Sequence, residues 1–343
     1  MIDGVGDLLA MSPLPWLAEC LGDQARGRLG PAPLWTLSGD AQAIARQEAE
    51  LSGPELHALL HVMGSLAALL GRCHGPARYA RWTAAIPASQ RVEMDCLAAS
   101  TGIATEALVR ANVLVETCCT ALVRLPNPTA ALEVVRTVDF FPAARIGGTT
   151  VVKRYRREGA LSLLSVSWPG FVGVVSGLNE AGVTACILLH HGGRRYPDGM
   201  PLASRLRDVL ETAQDLPDAI RRLESEPVSS GHYMLLTDSR SAAVVWRDGG
   251  RLCQAQPADG LLAVDNNPRS AGYPGSSTGR RARRALAAIR HCGWDGCRLA
   301  HLIAQRHNNA QAMLMLPGQG ELRLALGRST RRAASGRWWR YRL

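Results

Sequence analysis

An α+β architecture, two antiparallel sheets layered with helices, follows from three features of the sequence. Up to about residue 116, apolar residues recur at helical spacing. From Cys119 onward they gather into short runs divided by Gly, Pro and Asn. Those runs are interrupted twice by a pair of helical segments, giving the order strands, two helices, strands, two helices, strands.

Residues 1–50 are broken by Pro and Gly around an apolar patch at 14–21 and read as a loosely helical lead-in. After Ser52-Gly53-Pro54, the residues Leu56, Leu59, Leu60, Met63, Leu66 and Leu69 recur at three- and four-residue spacing. Ser52 with Glu55 predicts a capping box, with Pro54 in the first turn. A helix follows over 92–99 and stops at Ser100-Thr101-Gly102. Another starts near Thr105 and carries Leu108, Val109, Val113 and Leu114.

Beyond Cys119 the texture is β. Runs at 119–125 and 132–138, split by Pro126-Asn127-Pro128, predict a hairpin. Further runs lie at 149–155, 160–167, 170–176 and 182–189. The pair 172–178 and 183–189, joined through Asn179-Glu180-Ala181-Gly182, predicts a second hairpin. Helices at 202–212 and 216–224 come next, the latter opened by Pro217 and Asp218. Strands at 233–237, 242–246, 251–256 and 261–264, helices at 280–290 and 297–305, and strands at 312–316, 322–326 and 338–342 complete the chain. There is no internal repeat and no low-complexity linker.

A hydrophobic share of 47% against 20% charged residues describes a folded globular chain rather than a disordered one. No stretch approaches the 18 or so apolar residues of a membrane span. The N-terminus lacks the basic and apolar regions of a secretory signal, so the expected setting is the cytoplasm. Nine irregularly spaced cysteines fit reduced thiols there. Cys292 and Cys297 have no second pair at zinc-site spacing, so no metal is expected. The net charge of +10 rests on Arg, since Lys153 is the only lysine. That reads as base composition, with the runs at 154–157, 280–284 and 328–342 as solvated surface. Basic charge eases the approach of anionic partners, but nucleic acid is not the expected one.

Chemistry centres on Cys118-Cys119-Thr120, where the helical pattern gives way to the β pattern. Two readings stand: a buried structural pair, since free Cys is among the most buried residue types, or a nucleophile at the head of a strand. A thiol needs an activator near neutral pH, and His190, His191 and His232 have no local signature tying them to Cys119. Arg136 and Asp139 are closer. If 119–125 and 132–138 form a hairpin, both return alongside Cys119. Flanked by Val and Phe, they are expected to be buried, and buried charge has to be matched.

These residues carry a resemblance. Cys119-Thr120-Ala121-Leu122-Val123 and Arg136-Thr137-Val138-Asp139-Phe140 resemble the Cys-Thr-Ser-aliphatic-Val and Arg-Asn-aliphatic-Asp-aromatic motifs of the N-terminal-nucleophile (Ntn) cysteine hydrolases and acyltransferases of the acid ceramidase, N-acylethanolamine acid amidase and penicillin acyltransferase type. Trp168-Pro169-Gly170 through Gly182 is similar to that family's hairpin, and Gly199-Met200-Pro201 with Arg205 and Leu210-Glu211 to its helix entry. Val264-Asp265-Asn266-Asn267 resembles its Val-Thr-Asn-His segment, and Ser277-Thr278-Gly279-Arg280 its Ser-x-x-Arg. Upstream, Glu93 and Asp95 to Asn112 resemble the helix pair before its nucleophile. The matches run in order from about residue 90 to 330; residues 1–50 match nothing in the family.

The resemblance implies an αββα sandwich, with residues 1–118 as a mostly helical pro-segment and 119–343 as the catalytic domain. It implies that Cys119 attacks the carbonyl of Cys118 and that an N-to-S acyl shift and hydrolysis divide the chain. The new α-amine, with an ordinary pKa of about 7.7–8.0, would then be the general base. It further implies that Asp139 holds the amine and thiol in register, and that Arg136 braces this carboxylate or meets a substrate oxygen. Asn266 would donate to the oxyanion, a role worth about 2.7–4 kcal/mol in such sites. Arg280 would bind substrate, and Asn179 would form the turn or line the site. The implied reaction is acyl transfer from a small amide or thioester to water or an amine, without a cofactor. Acyl-coenzyme A or an acyl carrier protein could be the co-substrate, the setting bacterial secondary metabolism, and the two fragments would stay associated. Thr137, Ala121 and Asn267 replace the family's Asn, Ser and His, and Val245-Trp246 stands where relatives often have an acid, which bears on specificity. Two other readings are an unprocessed chain of the same fold that only binds, and an Arg-rich nucleic-acid binder.

Overall fold

The computed structural model describes residues 30–343 apart from 54–55, 58, 60–75, 114–117, 141–142, 191–193, 195, 197, 249, 268–278, 305–307 and 328–331. It is a four-layer α+β sandwich. In chain order the first elements are β1 (Leu34–Gly39), α1 (41–53), α2 (Pro76–Ala84), α3 (Ala88–Thr101) and α4 (Thr105–Val113). Then come β2 (Cys118–Arg124), β3 (Glu133–Asp139), α5 (Ala143–Gly148), β4 (Val151–Arg157), β5 (Leu163–Ser167), β6 (Ser176–Asn179) and β7 (Thr184–Leu188). Next are α6 (Leu202–Thr212), α7 (Leu216–Ser225), β8 (Tyr233–Thr237), β9 (Ala242–Asp248), β10 (Arg251–Ala255) and β11 (Leu261–Asp265). Last come α8 (Arg280–Cys292), α9 (Gly296–Ile303), β12 (Asn309–Leu316), β13 (Glu321–Leu326) and β14 (Trp339–Arg342).

One sheet has eight strands in the order β1-β4-β5-β6-β7-β8-β9-β10, the other six in the order β11-β2-β3-β12-β13-β14. Among the described residues, each pairing between these strands is antiparallel except β1 on β4. Side chains alternate across a strand, and the apolar residues of β2 and β3 sort accordingly. Ala121, Val123, Val134 and Val138 join Val152, Leu164, Val166 and Ala185 between the sheets. Leu122 and Val135 point the other way, onto Ala282, Ala285, Leu299 and Ile303 of α8 and α9. On the outer face of the larger sheet, Leu206, Val209 and Leu210 of α6 are fully buried. Among the described residues, no helix is long and apolar enough to cross a membrane.

The expected hairpin of β2 and β3 is present, in register from Cys118 opposite Asp139 to Arg124 opposite Glu133. The helix expected to stop at Gly102 does so, on a left-handed Gly102 at φ 70° that bonds back to the Ala98 carbonyl. Other expectations need correction. Residues 34–39, expected to belong to a loosely helical lead-in, form a parallel edge strand instead. Ser52 does not begin a helix: it lies inside α1 with Oγ bonded back to the Glu48 carbonyl at 2.6 Å, and Pro54 and Glu55 lie outside the described residues. The helix starts at Asp40, whose Oδ1 accepts from the Ala43 nitrogen at 2.8 Å. The expected patch at 14–21, and Leu60, Met63, Leu66 and Leu69, lie outside the described residues. Residues 170–175 are not strand; the second hairpin pairs only Ser176–Asn179 with Thr184–Leu188.

The N-terminal segment is fastened to the rest by buried charge. Glu48 meets Lys153 at 2.6 Å, with both side chains almost wholly out of water. Glu93 takes a two-pronged bond from Arg207 at 2.5 and 2.6 Å. Burial raises the Glu93 carboxyl above its usual range in spite of Arg207, and lowers the Lys153 ammonium in spite of Glu48.

Candidate active site

The site is built on the β2–β3 ribbon, and the pleat divides it in two. Cys119 and Arg136 share the face turned to the larger sheet, because Ala121, two residues after Cys119, lies directly opposite Arg136. Asp139, an odd number of residues from Arg136, faces the α8–α9 layer. The two charges were expected to lie together; the strand period of two separates them.

On the inter-sheet face Arg136 is completely buried. Its Nη1 donates to the Val175 carbonyl at 2.7 Å, and its Nη2 to the Ile187 carbonyl at 2.5 Å. The same Nη2 lies 3.3 Å from Cys119 Sγ. Burial disfavours the guanidinium's charge, but the thiols of Cys119 and Cys186 beside it more than offset this and hold its pKa above the usual value. Burial pushes the Cys186 thiol upward, with Arg136 opposing. A guanidinium fixed between two carbonyls and a sulfur favours whatever negative charge develops on that sulfur. Arg136 therefore does not brace Asp139.

On the helix face Arg281 takes that place. Its Nη1 bonds Asp139 Oδ2, and its Nη2 lies 3.0 Å from Asn266 Oδ1 and 3.5 Å from the Cys119 carbonyl. Asp139 Oδ1 accepts from Asn309 Nδ2 at 3.1 Å. Asn266, just past β11, accepts on Oδ1 from the Cys119 backbone nitrogen at 2.9 Å and donates through Nδ2 to the Leu189 carbonyl at 2.7 Å. In the continuous chain its amide donor is thus engaged, and the group offered to Cys119 is an acceptor rather than an oxyanion donor. The approach of α8 depends on Gly279: a Cβ there would fall 1.6 Å from Asp265 Oδ2. Asp265 lies at the helix's N-terminal end, where its carboxylate is favoured by the unsatisfied N–H groups.

Arg280, the residue singled out by its motif, is exposed at the start of α8; its neighbour Arg281 turns inward. A signal for Arg281 was present. It precedes the buried Ala285 by four residues and so shares that face of the helix, whereas Arg280 does not. Asn179 is buried at the β6–β7 turn. Its Nδ2 donates to the Leu210 and Ala213 carbonyls, each at 2.9 Å, and its Oδ1 accepts from the Val183 nitrogen at 2.8 Å, so it ties the turn to the end of α6. His190 and His232 meet each other: the His190 nitrogen lies 3.3 Å from His232 Nδ1, and the His190 ring packs on Tyr233 at 4.3 Å. His191, Ser277 and Thr278 fall outside the described residues, as does the Cys118 side chain.

This two-sheet sandwich, with a cysteine at the head of an interior strand of the smaller sheet, has the fold of the Ntn hydrolases. Within that class, residues 128–268 match the family of acyl-coenzyme A:6-aminopenicillanic acid acyl-transferase. The resemblance read from the motifs is borne out. The matched span includes Arg136, Asp139 and Asn266 and begins beyond Cys119. Among solved structures, the Caenorhabditis elegans ortholog of N-acylethanolamine-hydrolyzing acid amidase is 16% identical with a TM-score of 0.50, covering 66% of this chain and 100% of its own. A mutant of the conjugated bile acid hydrolase of Clostridium perfringens is 12% identical with a TM-score of 0.43, covering 66% of this chain and 97% of its own. Penicillin V acylase from Agrobacterium tumefaciens is 15% identical with a TM-score of 0.41, covering 61% and 83%. No curated protein matches the sequence.

Proposed function

We propose that this chain is a self-cleaving N-terminal cysteine amidohydrolase or acyltransferase, working through an acyl-enzyme on Cys119. The observation that carries the reading is that Cys119 is held at both reacting ends. Asn266 Oδ1 accepts from its backbone nitrogen at 2.9 Å, and Arg136 lies 3.3 Å from its sulfur.

In the first stage Cys119 Sγ attacks the Cys118 carbonyl carbon. The peptide C–N bond breaks, its nitrogen takes a proton, and a thioester joins Cys118 to the sulfur. Water then hydrolyses that thioester, releasing 1–118 with a carboxylate and 119–343 with a free thiol and a new α-amine. In the second stage this amine, still beside Asn266 Oδ1, takes the thiol proton as Sγ attacks the substrate carbonyl. Water or an amine acceptor resolves the acyl-enzyme. Arg281 would keep Asp139 and Asn266 in place around that amine. After cleavage the fragments stay together, because β1 is hydrogen-bonded into the larger sheet and the Glu48–Lys153 and Glu93–Arg207 pairs join them. The donor is a small acyl amide or thioester, with acyl-coenzyme A or an acyl carrier protein as candidate co-substrates.

Intact mass spectrometry of wild type and Cys119→Ala is the test. The expected result is two masses, split between Cys118 and Cys119, in the wild type and a single full-length mass in the variant. A wild type that stays whole yet forms an acyl-enzyme would sink the α-amine as base. Lys153, the only lysine and fully buried, sharpens the measurement. Amine-reactive label should report essentially the chain termini, gaining one site on cleavage.

A further inference from the structure

Between β5 and β6 the chain runs through 170–175 outside any strand: the Val174 nitrogen bonds the Ala203 carbonyl and the Val175 carbonyl accepts from the Ile187 nitrogen, each at 2.9 Å, and side chains supply much of the rest. Glu48 Oε1 accepts from the Gly170 nitrogen at 2.7 Å. Asn112 Nδ2 donates to the Gly170 carbonyl at 2.9 Å, and its Oδ1 accepts from the nitrogens of Val172 and Gly173 at 2.7 and 3.3 Å. Lys153 Nζ donates to the Phe171 carbonyl at 2.9 Å, and Arg207 Nη1 to the Val172 carbonyl at 3.0 Å. All four side chains are buried. The segment ends at Val175, whose carbonyl accepts from Arg136 Nη1 at 2.7 Å, while Arg136 Nη2 touches Cys119 Sγ. Glu48 and Asn112, and Glu93 behind Arg207, all precede Cys119.

We propose that Asn112 is a positioning residue for the nucleophile: by folding 170–175 it sets the Val175 carbonyl that keeps the Arg136 guanidinium on Cys119 Sγ. The inference rests on Cys119 being the nucleophile. Asn112 touches no reacting atom. It acts through one short run of backbone, and a single amide is suited to this because it donates to one side of the turn and accepts from the other. The segment before the scissile bond thereby becomes a working part of the mature site rather than a discarded leader. The charged and titratable groups around Cys119 include, among the described residues, Arg136 on its sulfur, Cys186 across the sheets, and Arg281 with Asp139 on the helix side of the ribbon.

The test reads Cys119 directly. Full-length protein is alkylated with iodoacetamide from pH 5 to 10, and label at Cys119 is followed by peptide mass spectrometry. With Asn112→Ala the profile should move up by about one pH unit, so that labelling at neutral pH slows about tenfold. Arg136→Gln should move it at least as far, and the double variant no further than Arg136→Gln alone, as expected for two residues acting through one contact. Asn112→Asp, which keeps both acceptor bonds and loses the donor, should fall between and serves if the alanine variant does not fold. Gln90→Ala controls for stability. Gln90 is equally buried in the same N-terminal segment, and its amide bonds the Ser204 carbonyl at 3.0 Å rather than the backbone of 170–175. It should lower the unfolding midpoint and leave the profile where it was. The idea is overturned if Asn112→Ala and wild type superimpose, if Gln90→Ala moves the profile equally, if the double variant is additive, or if wild-type Cys119 takes no label at any pH. Because alkylation needs only the thiol, a wild type that never self-cleaves defeats the proposed function without deciding this one.

Discussion

The two faces of the β2–β3 ribbon each bring one arginine to Cys119, and they hold it by different physics. Toward the larger sheet, Arg136 is fully buried, and its charge is met by two backbone carbonyls and a sulfur. Toward the helices, Arg281 keeps 22% of its side chain exposed and pairs with Asp139, whose side chain is wholly buried. The first arrangement leaves the cation's field directed at the thiol. The second neutralises the cation with a carboxylate and uses both to fix backbone and amide groups. One face is therefore arranged to influence charge on sulfur, and the other to hold the nitrogen end of the same residue.

Removing either arginine tests that division. Arg281→Ala should have the largest effect on stability, about 3–5 kcal/mol, because it leaves the Asp139 carboxylate buried without its cation. Urea unfolding measures it, and Asp139→Asn on top of Arg281→Ala should recover much of the loss. If it does not, the pair is not what holds this face. Arg136→Lys should cost less, about 1.5–3 kcal/mol, since it keeps the charge but one ammonium nitrogen cannot reproduce the fork that reaches Val175, Ile187 and Sγ. Its larger signature should be kinetic: self-cleavage slowed about 10- to 100-fold, followed by the appearance of the 119–343 fragment. Equal slowing in Arg281→Ala at temperatures where both variants remain folded would erase the distinction between the faces.

The parts of this site legible in the sequence were those where local pattern and tertiary role agree. Arg136 and Asp139 stood out as charges inside apolar strands, and the turn at Pro126-Asn127-Pro128 fixed their return beside Cys119. What was missed depends on contacts distant in sequence. Strand β1 is a short edge strand whose partner, β4, lies more than a hundred residues on, and six residues of mixed polarity do not announce a parallel pairing. Residues 170–175 have the apolar composition of a strand. The positions of Glu48, Asn112, Lys153 and Arg207 help an irregular path satisfy its backbone, and a left-handed Gly170 at φ 75° permits it. The opposition of Arg136 and Asp139, by contrast, needed nothing but the strand period, which places an odd offset on opposite faces.

The smallest effect separates the adjacent arginines at the head of α8. Arg280 is exposed where Arg281 is turned onto Asp139, so Arg280→Ala should change stability by no more than about 0.5 kcal/mol and leave self-cleavage at the wild-type rate. The motif that drew attention to Arg280 and the helical period that favours Arg281 differ by one residue, about 100° around the helix axis. A cleavage rate that falls in Arg280→Ala and holds in Arg281→Ala would mean that α8 sits one residue out of the register described. The helix face of the ribbon would then have to be rebuilt around Arg280, with Gly279 no longer the point of closest approach to Asp265.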